Sequence, residues 1–146
     1  MNSRAWQELP SNAEADFGEG ATGPFLSVKL GAGTTAQATA AWGAFSKATS
    51  QCATFTAPAS GGGTETFQLA AMSFPSYGDQ TYAIALTLTT SSVLNASGDI
   101  VVVRKGHVLV QIIEVGLETV PVTTLEDAAS KAVAKAQRVG SPESEQ

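Results

Sequence analysis

The chain has 146 residues, of which 43% are hydrophobic and only 14% charged, and its formal net charge is −5. That length suits a single core in which folding buries roughly 68–70% of the surface an extended chain exposes. The basic residues are scattered, Arg104 and Lys105 being the only adjacent pair, which argues against nucleic acid as a partner because phosphate binding needs clustered Lys and Arg. No apolar run approaches the roughly 18 residues that a membrane-spanning helix requires.

Taken in chain order, residues 1–23 are polar and glycine-rich, with Trp6, Leu9 and Phe17 as isolated apolar anchors. Lacking a sustained period, they read as a flexible lead-in. Pro24 stops any helix, and Phe25 to Leu30 alternates to make a first strand with Leu26, Val28 and Leu30 on its buried face. Thr34 and Thr35 suit a helix N-cap. Ala38, Ala41, Trp42, Phe45 and Ala48 then recur at three-and-four spacing, which predicts a helix over 35–50. Gly43 inside it costs up to about 1 kcal/mol relative to Ala and reads as the mark of a tight approach to the sheet.

After Cys52 the period becomes two. Ala53 to Ala57 forms a short strand, Pro58 to Gly63 a loop, and Thr64 to Ser73 a strand with Phe67, Leu69 and Ala71 on one face. A turn-rich stretch, Phe74 to Asp79, leads to a half-buried strand in which Tyr82, Ile84, Leu86 and Leu88 alternate with small and polar residues. Asp99 to Arg104 and His107 to Val115 are β-branched and apolar on both faces, as central strands are, and Lys105-Gly106 between them suits a tight primed turn. Thr123 to Glu126 reads as a capping box opening a helix that runs to about Val139. Leu125, Ala128, Ala129, Ala132, Val133 and Ala136 form its apolar stripe, and Asp127, Lys131 and Lys135 its exposed side. Residues 140–146 read as a disordered tail. The expected fold class is α+β: an antiparallel sheet of about six strands packed against two main helices, in one domain spanning 24–139.

Little of this chemistry is reactive. Gly18-Glu19-Gly20-Ala21-Thr22-Gly23 has the glycine spacing of a dinucleotide fingerprint, but that motif must follow a strand and open a helix; here it follows polar coil and runs into Pro24. One His and one Cys supply neither a metal site nor a catalytic triad, and no G-x-S-x-G elbow presents a serine. His107 reads as an exposed strand-end residue, and Asn95-Ala96-Ser97 as a polar turn. Asp79, Asp99, Glu114 and Glu118 lie near strand ends, each with an ordinary reading as a turn or edge residue, and could act as a hydrolytic pair only if two met in a shared cleft within about 10 Å. No cofactor is implied.

The Gly23-Pro24-Phe25-Leu26 start, the Ala-rich helix carrying Trp42 and Phe45, Cys52-x-x-Phe55, Phe74-Pro75 with Gly78-Asp79-x-Thr81, and Val101-Val102-Val103-Arg104-x-Gly106 before an Ala-rich C-terminal helix together resemble the extracellular sensor domains of actinobacterial PknH-like receptor kinases and their stand-alone lipoprotein relatives. The resemblance spans roughly residues 23–139. It implies an extracytoplasmic domain tethered by lipid or a membrane helix, a twisted antiparallel sheet packed on helices, and a groove for a ligand. It further implies that Cys52 is one half of a disulfide whose partner, with the signal and the anchor, lies upstream of this chain. It supplies no catalytic residues.

The leading expectation is therefore a non-catalytic extracytoplasmic ligand-binding or sensor domain of the actinobacterial cell envelope, taking an unidentified small-molecule or envelope ligand and meeting the membrane only through an absent tether. The alternatives are a structural or protein-interaction domain of an envelope lipoprotein and a carboxylate-dependent hydrolase. A large apolar pocket would favour the first and a flat apolar patch the second. Trp42, Tyr77 and Tyr82 are amphipathic aromatics near the expected cleft, each also read as plain packing, so no binding residue is assigned.

Overall fold

Two consecutive β-branched tracts form the centre of the molecule. In the computed structural model, which describes residues 9–18, 20–21, 23–51, 53–59, 61–90, 95–117 and 121–140, they are β6 (Asn95–Lys105) and β7 (Val108–Gly116). Side chains alternate across a strand, and here both faces are covered. Val101 and Val103 point to one face while Ile100 and Val102 point to the other, and all four are buried.

Around this pair stand β1 (Ser11–Gly18), β2 (Phe25–Ala32), β3 (Thr54–Pro58), β4 (Thr64–Ala71) and β5 (Gln80–Thr90). The sheet has seven strands in the order β1-β2-β7-β6-β5-β4-β3, and every neighbouring pair is antiparallel. The α+β class is as expected, and the strand count is corrected from about six to seven. The added strand, β1, falls within the stretch read as a lead-in, where Leu9 is also buried. Its alternation of Ala13, Ala15 and Phe17 with Asn12, Glu14 and Asp16 is genuine period two, but alanine is too small to register as an apolar signal.

Two helices cover opposite faces. Helix α1 (Thr35–Gln51) carries the chain from β2, near one edge, to β3 at the other. It packs Ala38, Ala41 and Phe45 on Leu69, Ile84, Ile100, Val102 and Leu109. The buried position in its last turn is Thr49, not Ala48, and the Thr49 hydroxyl donates to the Phe45 carbonyl at 3.0 Å, so it enters without an unpaired proton. A reciprocal capping box forms at its start. Thr34 Oγ1 accepts from the Gln37 N–H at 3.1 Å, and Gln37 Oε1 accepts from the Thr34 N–H at 2.8 Å.

Helix α2 (Val122–Gly140) packs Leu125, Ala129, Ala132, Val133 and Ala136 on Val101, Val103, Val108, Val110 and Ile112. It begins at Val122, with the Thr124 N–H donating to the Pro121 carbonyl at 2.9 Å, so Thr123 lies inside the first turn instead of capping it. Gly43 is likewise corrected: a Cβ there would meet nothing within 4 Å, so no close approach requires the glycine. The β6–β7 turn is Gly106-His107, one residue later than expected, since Lys105 pairs with Val108. Gly106 takes φ +57° and no non-glycine residue among those described has positive φ, the pattern of a turn with glycine at its first central position.

Candidate functional site

Helix α2 lies chiefly over β7 and β6 and reaches β2 only in part, so the β1–β2 side of that face is left uncovered. The register sets Ala13 beside Leu30, Ala15 beside Val28 and Phe17 beside Leu26. Their side chains share the α2 face because directly paired residues of an antiparallel ladder point the same way. Alanine at 13 and 15 leaves room that larger side chains would fill. The result is a groove of about 450 Å³ with this apolar floor; Glu14 of β1 also borders it, and its wall is Thr124, Asp127, Ala128, Lys131, Ala132 and Lys135 of α2. Phe17, 60% exposed, stands at its mouth. Lys131 is held by Asp127 at 2.7 Å across one helical turn, and Lys135 adds a second ammonium one turn further along.

A smaller cavity of about 330 Å³ opens at the same end of the sheet, lined by Asp16, Gly18, Phe25, Ser27, Ile113 and Val115 together with Phe17 and Leu26. Phe25, Leu117 and Val122 are further exposed large hydrophobics, and all belong to the end where β1 finishes, β2 starts and β7 passes into α2.

Of the four carboxylates singled out from the sequence, Asp79 lies apart from Asp99 and Glu114. Asp79 serves the β6–β7 hairpin. The Gly106 N–H donates to Asp79 Oδ2 at 2.7 Å, the Asp79 N–H donates to the Arg104 carbonyl at 2.8 Å, and Lys105 Nζ lies 3.4 Å from Oδ1. The Gly106 N–H, helped by Lys105 and Arg104 and opposed by partial burial, holds the Asp79 carboxyl below the usual carboxylate range. Arg104 is fixed in turn by Gln80 Oε1 at 2.7 Å and the Gly106 carbonyl at 3.0 Å. This is a turn clamp, the ordinary role expected of Asp79.

Asp99 and Glu114 are directly opposed across β6 and β7, which sets their Cβ atoms about 4.5–5.5 Å apart. Glu114 is 2% exposed, and burial pushes the Asp99 carboxyl up. Neither lines the groove or the smaller cavity. Glu118 and Cys52 lie outside the described residues. His107 sits in the turn, half-buried, its carbonyl accepting from the Gly33 N–H at 3.2 Å. It is about 23 Å along the strand from Glu114. Among the described residues no three His, Cys, Asp or Glu converge as a metal site, and no helix is long and apolar enough to cross a membrane.

The three aromatics pack. Tyr82 meets Phe45 edge-on at 5.9 Å, Tyr77 meets Phe74 at 5.9 Å, and Trp42 joins the core beneath α1. None lines either cavity. The segment Gly18 to Gly23 joins two strands and opens no helix, so it lacks the context of a dinucleotide loop. Asn95-Ala96-Ser97 opens β6 instead of forming a turn. The groove residues that sequence reasoning missed are those of β1, whose only signal was the faint alternation around Ala13 and Ala15.

No protein-family model matches the chain, and no curated protein matches it in sequence. In fold it is similar to the crystal structure of the extracellular domain of PknH from Mycobacterium tuberculosis, with a TM-score of 0.64 and 16% identity over 87% of this chain. The match spans 64% of that domain's length. At this identity the likeness is one of fold: a helix-flanked antiparallel sheet shared with an extracellular domain.

Proposed function

We propose that the chain is a non-catalytic, extracytoplasmic sensor or ligand-binding domain of the cell envelope, with its ligand in the groove between α2 and the β1–β2 edge. The observation that carries this reading is the groove itself, a largely apolar trough of about 450 Å³ with lysines on one rim, which is the composition of a site that takes an apolar body and orients it by a few polar groups. The fold shared with an extracellular domain supports the location. The protein-interaction reading keeps one specific support: Phe17, Phe25, Leu117 and Val122 are exposed at one end of the sheet, where apolar side chains mark a contact surface.

Anilinonaphthalene sulfonate, an apolar ring system with one anionic group, is a suitable first probe. It is expected to bind saturably with a fluorescence rise, and Ala15→Trp, which fills the groove floor from an exposed strand, is expected to weaken binding at least about tenfold with little change in melting temperature. Undiminished dye binding by a folded Ala15→Trp variant would remove the groove as the site.

A further inference from the structure

The two edges of the sheet are protected differently. β3 has five residues and ends in Pro58, and short length and proline both discourage strand addition. β1 has eight residues, pairs with β2 through eight successive partners without a bulge, and contains neither Pro nor Lys. Among the described residues its guard is charge. Glu14 and Asp16 share one face with Asn12, and Ala13, Ala15 and Phe17 share the groove face.

That charge discriminates between occupants. A second copy pairing edge to edge about a two-fold axis would set Glu14 against Glu14 or against Asp16 of its mate in the two face-matched registers that overlap the strands most fully, and like charges directly opposed are destabilising. A strand with basic residues at those places meets the opposite sign. Across β2, Lys29 stands opposite Glu14 and Ser27 opposite Asp16, and the Ser27 hydroxyl donates to Glu14 Oε1 at 3.2 Å.

We propose that the β1 edge takes, by strand addition, an extended peptide whose side chains alternate basic and apolar. The inference rests on the groove being the ligand site and names the class of ligand. An added strand would lie about 4.8 Å beyond β1. Its main chain satisfies the open backbone groups of β1, its basic side chains stand beside Asp16 and Glu14, and its apolar ones stand beside Ala15 and Phe17, continuing the groove floor towards the open side. Thr124 to Lys135 of the wall spans about 16 Å, which matches about five residues of extended chain and the reach of Ala13 to Phe17.

The test is an amide NMR titration of the labelled protein with short blocked peptides, one alternating lysine with valine and one alternating glutamate with valine. The lysine peptide is expected to shift β1 and the facing turns of α2, to bind about fivefold more tightly than the glutamate peptide, and to lose binding when its alternate amides are N-methylated. Asp16→Lys, with its spectral dispersion retained, is expected to reverse the preference. Equal binding of the two peptides, shifts centred on β3, or self-association through β1 would overturn the proposal. If the dye binds the groove and the lysine peptide does not bind, the peptide inference fails and the groove reading stands; if neither binds, both fail.

Discussion

Two aspartates with opposite environments give the folded state opposite responses to pH. Asp79 has an ordinary value of 3.8 that the Gly106 N–H, with Lys105 and Arg104, lowers on folding. Its contribution is therefore present above that value and is lost as pH falls through it towards the folded pKa. Asp99 starts from the same ordinary value and is raised by burial, so its contribution is present at low pH and is lost as pH rises from 3.8 through the folded pKa. Thermal melts between about pH 3 and 7 should show Asp79→Asn flattening the acid limb, and Asp99→Asn melting higher than the native chain at neutral pH while matching it in acid. A lower neutral melting temperature for Asp99→Asn would mean that the carboxylate gains more from its neighbours than it loses by desolvation. The turn role of Asp79 was legible in the sequence, since it follows Gly78 in a turn-rich stretch. Its bond to Gly106, 27 residues away, was not, because strand pairing alone brings the two together.

At the scale of elements, two glycines that look alike in sequence differ in what surrounds them. Gly43 sits inside α1 with open space where a Cβ would go, so Gly43→Ala should stabilise the protein by up to about 1 kcal/mol through helix propensity. Gly98 lies in β6 against the backbone carbonyl of Glu114 on β7, and an added Cβ would collide with that oxygen. Gly98→Ala should destabilise by about 1–3 kcal/mol, the usual cost of overpacking. Urea unfolding of both variants checks the pair, and a destabilised Gly43→Ala would restore the close helix–sheet approach that its sequence position suggests. The capping boxes carry the same lesson. Thr34-x-x-Gln37 forms one, while Thr123-x-x-Glu126 is drawn into the helix because α2 starts at Val122. The main helices and strands were legible because periodicity is local, whereas a boundary depends on which backbone groups neighbouring elements leave unpaired.

For the whole molecule, strand order decides how deeply each element is held. β6 and β7 have a partner on each side and a helix over each face, whereas β1 is paired once and exposed along its length. Amide hydrogen exchange should therefore be slowest at Val101 to Val103 and Val108 to Val110, and faster in β1 by at least about a hundredfold. Comparable protection in β1 would show that something covers that edge in solution, such as a second copy, and would count against an open peptide-binding edge.

The amino-acid sequence by itself determined the α+β class, the two-sided burial of β6 and β7, and the apolar stripe of α2, because each follows from the spacing of side chains a few residues apart. Only the tertiary structure decided that β1 joins the sheet, that α2 stops short of it to leave a groove, and that Asp99 meets Glu114 while Asp79 stays at the far hairpin. Those facts depend on the order β1-β2-β7-β6-β5-β4-β3, in which β2 and β7 are neighbours although most of the chain separates them. Such pairings are selected by the free energy of the whole core, and no local pattern records them.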